Sequence, residues 1–239
     1  MKFFNLEVNR IPQPVLTTFE TDKQFNELYN LAEMRTNMVW SRDHPRERSL
    51  RMQRHYTLQN LLRNIPKMSG DVAECGVWRG LSAYQIASIL SLAGFSGEFH
   101  IFDSFQGLSN FHPKDGRPQR KEDKQYSYPL KNVKENLSEF NFIRYHPGWI
   151  PSRFIDVADK KFSFVHIDAD LYQPVLESVK FFYPRMQPGG IMVFDDYGLL
   201  SFPGTRAAVD EITTGKEDFF LQMPAGNAFL VKGMLGCEL

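Results

Sequence analysis

The sequence is poor in cysteine, has no charge imbalance and contains no long apolar run. Its two cysteines, Cys75 and Cys237, in 239 residues supply neither a disulfide framework nor a zinc-ligand set, and a reducing, cytoplasmic setting is expected. The 28 basic and 28 acidic side chains cancel. No global field therefore draws the chain to nucleic acid or to an anionic membrane, and neither is expected as a partner. The segment MKFFNLEVNR lacks the apolar core of a secretory signal. The most apolar stretch, Tyr84 to Phe95, is broken by serines and too short to span a bilayer. Also missing is the G-x-G-x-x-G fingerprint, which argues against a dehydrogenase.

What remains is the composition of a folded domain, 42% hydrophobic and 23% charged. The length suits one large α/β domain with an N-terminal extension. Residues 1–68 hold helix-like segments, Thr21 to Met34 and Arg48 to Ile65, and read as a helical cap. Residues 69–239 alternate short apolar runs with amphipathic segments, the pattern of a parallel sheet with crossover helices. Strands are expected at 71–75, 98–102, 142–146, 162–167, 190–194, 219–223 and 228–232. This predicts a Rossmann-like α/β fold with a seven-stranded, mostly parallel sheet and helices on both faces. Residues 110–138, dense in Lys, Arg, Asp, Gln and Pro, are too long for an ordinary connection and read as a lid in preference to a disordered excursion.

Two acidic elements follow the first two strands. In Glu74-Cys-Gly-Val-Trp-Arg-Gly80, glycines permit a sharp turn and close backbone approach to a ligand, and Glu74 suits a cationic end such as the amino group of methionine. Ser82 and Gln85 fit a capping box at the start of the following helix. Asp103, 27 residues beyond Gly76 and followed by Ser104, is placed to accept the hydroxyls of an adenosine ribose. The candidate cofactor-contacting residues are thus Glu74, Gly76, Gly80, Ser82, Asp103, Ser104 and Asp168.

The fourth strand ends in Asp168-Ala-Asp170 and the fifth in Asp195-Asp196. In a doubly wound sheet these ends are neighbours at the ligand-binding edge. Four carboxylates there repel one another unless a proton, a cation or a metal intervenes. An oxygen-only set points to a hard ion such as Mg²⁺. Asp168, Asp195 and Asp196 are expected to hold it, leaving Asp170 as general base. His166 could touch this site or serve as a hydrogen-bonded core histidine. The segment 42–54, with five arginines, reads first as a solvated or subunit-contacting helix face and second as a site for the diphosphate of a nucleotide sugar.

These pieces together resemble the macrocin O-methyltransferase family: ECGVWRG at 74–80, FDSFQGL at 102–108, IDADLY at 167–172, FYPRMQPGG at 182–190, DDYG at 195–198 and GTRAAVDE at 204–211. The resemblance implies a class I methyltransferase fold, S-adenosylmethionine as donor and Mg²⁺ on Asp168, Asp195 and Asp196, with Asp170 as base. It further implies methyl transfer to a hydroxyl of a sugar, a nucleotide sugar or a glycosylated small molecule. A catechol-type phenol acceptor and a non-catalytic cofactor-binding homologue are the alternatives, and self-association into a homo-oligomer is left open. The chain departs from the family at Gln173-Pro174, where Glu-Ser is usual, and in its last hairpin.

Overall fold

In the computed structural model the described residues are 18–63, 65–117 and 126–233. The cap begins with α1, Lys23–Arg35, whose N-cap Asp22 accepts the Phe25 N–H at 3.0 Å. Its buried side, Phe25, Tyr29, Ala32 and Glu33, follows the helical repeat. Helix α2, Pro45–Leu62, starts with proline at its first position, where the missing N–H costs no bond. Glu33 is fully buried and joins the two helices: it accepts from Ser41 Oγ at 2.8 Å, Arg42 Nε at 3.1 Å and Arg48 Nε at 2.7 Å. Both helices pack on α3, Leu81–Leu92.

Seven strands form one sheet: β1 Asp71–Cys75, β2 Phe99–Asp103, β3 Ile143–Pro147, β4 Phe162–Ile167, β5 Met186–Phe194, β6 Phe219–Gln222 and β7 Ala228–Val231. Their order is β3-β2-β1-β4-β5-β7-β6, with β1 to β5 parallel and β7 antiparallel to both its neighbours. This is the Rossmann-like arrangement expected. Every strand lies within one residue of its expected bounds except β5, which begins four residues before the expected Gly190 because Met186 already pairs with Phe162. The remaining helices are α4 Leu130–Asn136, α5 Tyr172–Phe182 and α6 Pro203–Thr213. The strand order reverses at β1, so a crevice opens between the carboxyl ends of β1 and β4.

Two expectations need revision or restriction. The capping box at Ser82 and Gln85 does not form: α3 follows left-handed Gly80 and has no side-chain cap. Gln85 is buried and points at α2 instead, with Nε2 2.7 Å from His55 Nδ1 and Oε1 accepting from Gln59 at 2.8 Å. Of the segment 110–138, residues 118–125 lie outside the described residues, and the flanks on either side are packed. Asp115 Oδ1 accepts the Tyr172 N–H at 2.7 Å, close enough to α6 that a Cβ on Gly204 would sit 2.0 Å from that oxygen. Val133 of α4, a helix the sequence reading did not anticipate, is fully buried.

Candidate active site

A cavity of about 370 Å³ opens at the carboxyl edge of β1, β4 and β5, with α2 as one wall. That volume and position suit a small-molecule site. Its floor is made by the ends of β4 and β5. Asp168 and Asp170 are half-buried and face the cavity, whereas Asp195 and Asp196 are almost wholly enclosed. One oxygen from each of Asp168, Asp195 and Asp196 lies within 4.8 Å of the others. Asp170 stands in the left-handed region at φ 58°, its carbonyl accepting from Thr205 Oγ1 at 2.9 Å. Trp78, also on the cavity wall, has φ 46°. Such conformations cost about 1–3 kcal/mol each and gather at functional sites.

The cluster's charge is only partly matched. Arg54 Nε lies 3.0 Å from Asp195 Oδ2, and Nη1 lies 3.8 Å from Asp196 Oδ1. On the other side His166 is fully buried, with Nδ1 2.9 Å from Glu74 Oε1 and Nε2 3.7 Å from Asp195 Oδ1, an ion-pair distance too long for a hydrogen bond. Burial works against charge on Asp195, yet Arg54 and His166 hold its carboxyl well below the ordinary value. Burial also opposes charge on His166, but Asp195 and Glu74 outweigh it and raise its pKa above the ordinary imidazole value. Asp168 and Asp170 are pushed well above the ordinary value by burial and then by neighbouring carboxylates. Asp196 is raised to about 6 by burial and by Asp195. Asp196 Oδ2 is buried and has no partner.

A divalent cation fits this arrangement on two counts. The donors are three carboxylates, a hard oxygen set, and one buried carboxylate oxygen lacks any hydrogen atom to neutralise it.

Gly76, at φ 85°, is required by packing as well as by any ligand: a Cβ there would sit 1.9 Å from the Asp168 carbonyl oxygen. The loop it opens is closed by Asp103, whose Oδ2 accepts the N–H groups of Val77 at 2.7 Å and Trp78 at 3.0 Å, while Oδ1 accepts that of Phe105 at 2.6 Å.

Residues 14–217 match the family described as Macrocin-O-methyltransferase (TylF). The chain belongs to this family. Among curated relatives of this macrocin-O-methyltransferase family chain is the mycinamicin III 3''-O-methyltransferase of Micromonospora griseorubida, 30% identical over 59% of each chain. The 8-demethyl-8-(2,3-dimethoxy-alpha-L-rhamnosyl)-tetracenomycin-C 4'-O-methyltransferase of Streptomyces olivaceus is 26% identical over 54% of each. The chain thus spans a little over half the length of the curated relatives it matches. A solved calicheamicin methyltransferase superposes with TM-score 0.68 at 17% identity, covering 92% of this chain and 95% of that one, which shows a shared fold.

Within this family member, the structure brings Gly76, Ser82, Asp103, Ser104, Asp168, Asp170, Asp195 and Asp196 onto one cavity. Glu74 and Gly80 are not on its wall. Glu74 lies beneath the floor with Oε1 against His166 and Oε2 buried without a partner, and Gly80 supplies the left-handed turn into α3. The residue that sequence reasoning missed is Arg54. Its signal was present in the spacing of Glu47, Leu50, Arg51, Arg54 and His55, a stripe at intervals of three and four that all faces the cavity. No helix among the described residues is long and apolar enough to cross a membrane.

Proposed function

We propose that this protein is an S-adenosylmethionine-dependent O-methyltransferase acting on a hydroxyl of a sugar-containing small molecule, with a divalent cation at the acidic cluster. The observation that carries the reading is the set of four aspartates at adjacent strand ends, on the floor of the cavity that the Gly76–Trp78 loop also lines. Family membership supports methyl transfer, and the relatives named above are O-methyltransferases, one of them for a rhamnosyl-bearing tetracenomycin.

Asp168, Asp195 and Asp196 would hold the ion. Bound there, a divalent cation supplies Lewis-acid charge that lowers the pKa of a neighbouring hydroxyl. Asp170 is the base: it is the carboxylate at this edge outside the three-residue ligand set, and it lines the cavity from a left-handed backbone position. Glu74, fully buried and off the cavity wall, acts on the site through His166 rather than through the cofactor's ammonium group. Ser82 and Ser104 offer hydroxyls on the same wall, and Asp103 retains lone pairs for the ribose beyond the three N–H groups it already accepts. Holding the sulfonium methyl and the acceptor oxygen in line is the remaining task of the cavity wall. A reducing cytoplasm is the proposed compartment, since the buried thiol of Cys75 is free.

Calorimetric titration with S-adenosylhomocysteine tests the cofactor, and methyl transfer to glycosides with and without EDTA tests the chemistry. Binding together with EDTA-sensitive transfer is expected. Absence of binding removes the donor assignment, and transfer indifferent to EDTA removes the ion.

A further inference from the structure

Arg51 is a buried cation on the cavity wall that the chemistry above does not use. It shares the inner stripe of α2 with Arg54 and His55. Arg54 has its charge matched by Asp195 and Asp196 at ion-pair distance, although its buried Nε makes no hydrogen bond, and His55, kept neutral with its pKa lowered to about 3 by burial, accepts from the Gln85 amide. Arg51 is 11% exposed, and its ion pair is through Nη2 to Glu47 Oε1 at 3.2 Å, a carboxylate itself 64% exposed. Its Nη1 is buried with no hydrogen-bond partner. A guanidinium withdrawn from water with an unfilled donor is destabilising until an acceptor arrives, and an anionic acceptor satisfies both the donor and the charge.

We propose that Arg51 is the docking point for an anionic oxygen group on the methyl acceptor, either a phosphate of an activated sugar or the carboxylate of an acidic sugar. The inference rests on the methyltransferase reading and extends it to the acceptor's chemical class. Geometry favours it over a neutral acceptor. Arg54, three residues on along the same stripe, lies against Asp195 and Asp196, so a cation beside Arg51 already counters part of the aspartates' charge. The reacting hydroxyl then sits at Asp170, which lines the same cavity as Arg51. Arg51 offers a planar fork to either anion, which lysine at the same place would not.

The test is calorimetric titration of inorganic pyrophosphate and, separately, of malonate, in EDTA, onto the wild-type protein, Arg51→Gln and Arg46→Gln. Arg46 is exposed on α2 away from the cavity. At least one anion is expected to bind the wild type, to weaken ~10-fold or more in Arg51→Gln and to be unchanged in Arg46→Gln. Preference for pyrophosphate assigns a phosphate-bearing acceptor, and preference for malonate a carboxylate-bearing one. If neither anion binds the wild type, or Arg51→Gln binds as well as the wild type, the proposal is overturned. S-adenosylhomocysteine binding in all three proteins controls for folding. Its absence from the wild type, with the anion result intact, would remove the methyltransferase reading and leave the anion site standing.

Discussion

Two clusters of acidic residues lie at opposite edges of the same sheet, and only one of them is built for chemistry. At the amino edge Asp71, Glu98 and His100 bring three ligand atoms within 4.8 Å, as Asp168, Asp195 and Asp196 do at the carboxyl edge. The first cluster is saturated. Lys160 Nζ lies 3.0 Å from Glu98 Oε2 and 3.5 Å from Asp71 Oδ2, Arg144 Nε lies 2.7 Å from Glu98 Oε1, and Asp71 Oδ1 accepts the Glu98 N–H at 2.9 Å. None of its residues lines the cavity. The second cluster keeps surplus negative charge, an unpartnered oxygen on Asp196 and access to a ligand-sized space. Proximity of carboxylates is thus a weak sign of function. Charge left unneutralised in an accessible cavity is a stronger one.

The contrast breaks most visibly at Asp168. Asp168→Asn is expected to lower methyl transfer by at least ~100-fold and to abolish divalent-ion binding in calorimetry. The same change removes one of the repelling charges, so the melting temperature in EDTA should rise. A fall would mean that Asp168 is stabilising in the metal-free fold.

Arg54→Met is expected to cost about 3 kcal/mol in urea denaturation in EDTA, because it leaves two buried carboxylates without their guanidinium. Excess Mg²⁺ should recover part of that loss. A cost below ~1 kcal/mol would remove Arg54 as the counter-ion of the cluster.

The two clusters should also answer pH with opposite sign. Asp168, Asp170 and Asp196 have raised values in the fold, so the stability they contribute is full below the ordinary carboxylate range and is lost as pH rises through their folded values. Between about pH 5 and pH 8 the metal-free melting temperature is expected to fall, and Mg²⁺ to flatten the slope. Glu98 is held below the ordinary value by the Lys160 hydrogen bond, and Asp71, despite burial, by its bond to His100. Their contribution is present above about pH 4 and is lost as pH falls further. Glu98→Gln should therefore flatten the acid limb and Asp168→Asn the neutral one.

The smallest effect is expected from Lys160→Met, whose half-exposed pairs are worth about 0–1 kcal/mol. Ion binding and S-adenosylhomocysteine binding should not change. An altered ion affinity would show that the amino-edge cluster communicates with the site after all.

The strands and the aspartates were legible in the sequence because both are local signals. A parallel strand is a short apolar run bounded by turn residues, and β1 and β4 fall where their runs do, while β5 extends back through Gln187-Pro-Gly-Gly by the pairing of Met186 with β4 and the bonds of Gly189 and Gly190 to Lys232. The aspartates follow directly from such runs, so strand adjacency alone places them together. The arginine segment carried two readings that composition could not separate, since a charged helix face looks the same whether it meets water or a cavity. Tertiary structure decided it: α2 packs on α3 above the sheet and turns Arg51 and Arg54 inward. The same packing took Gln85 from the helix cap to His55, and strand pairing set Glu74 beside His166, because a buried polar side chain must find a partner wherever the fold offers one. Sequence alone thus determined the sheet and its acidic edge. Which charges meet that edge, and which face the space above it, followed from helix packing that no local pattern encodes.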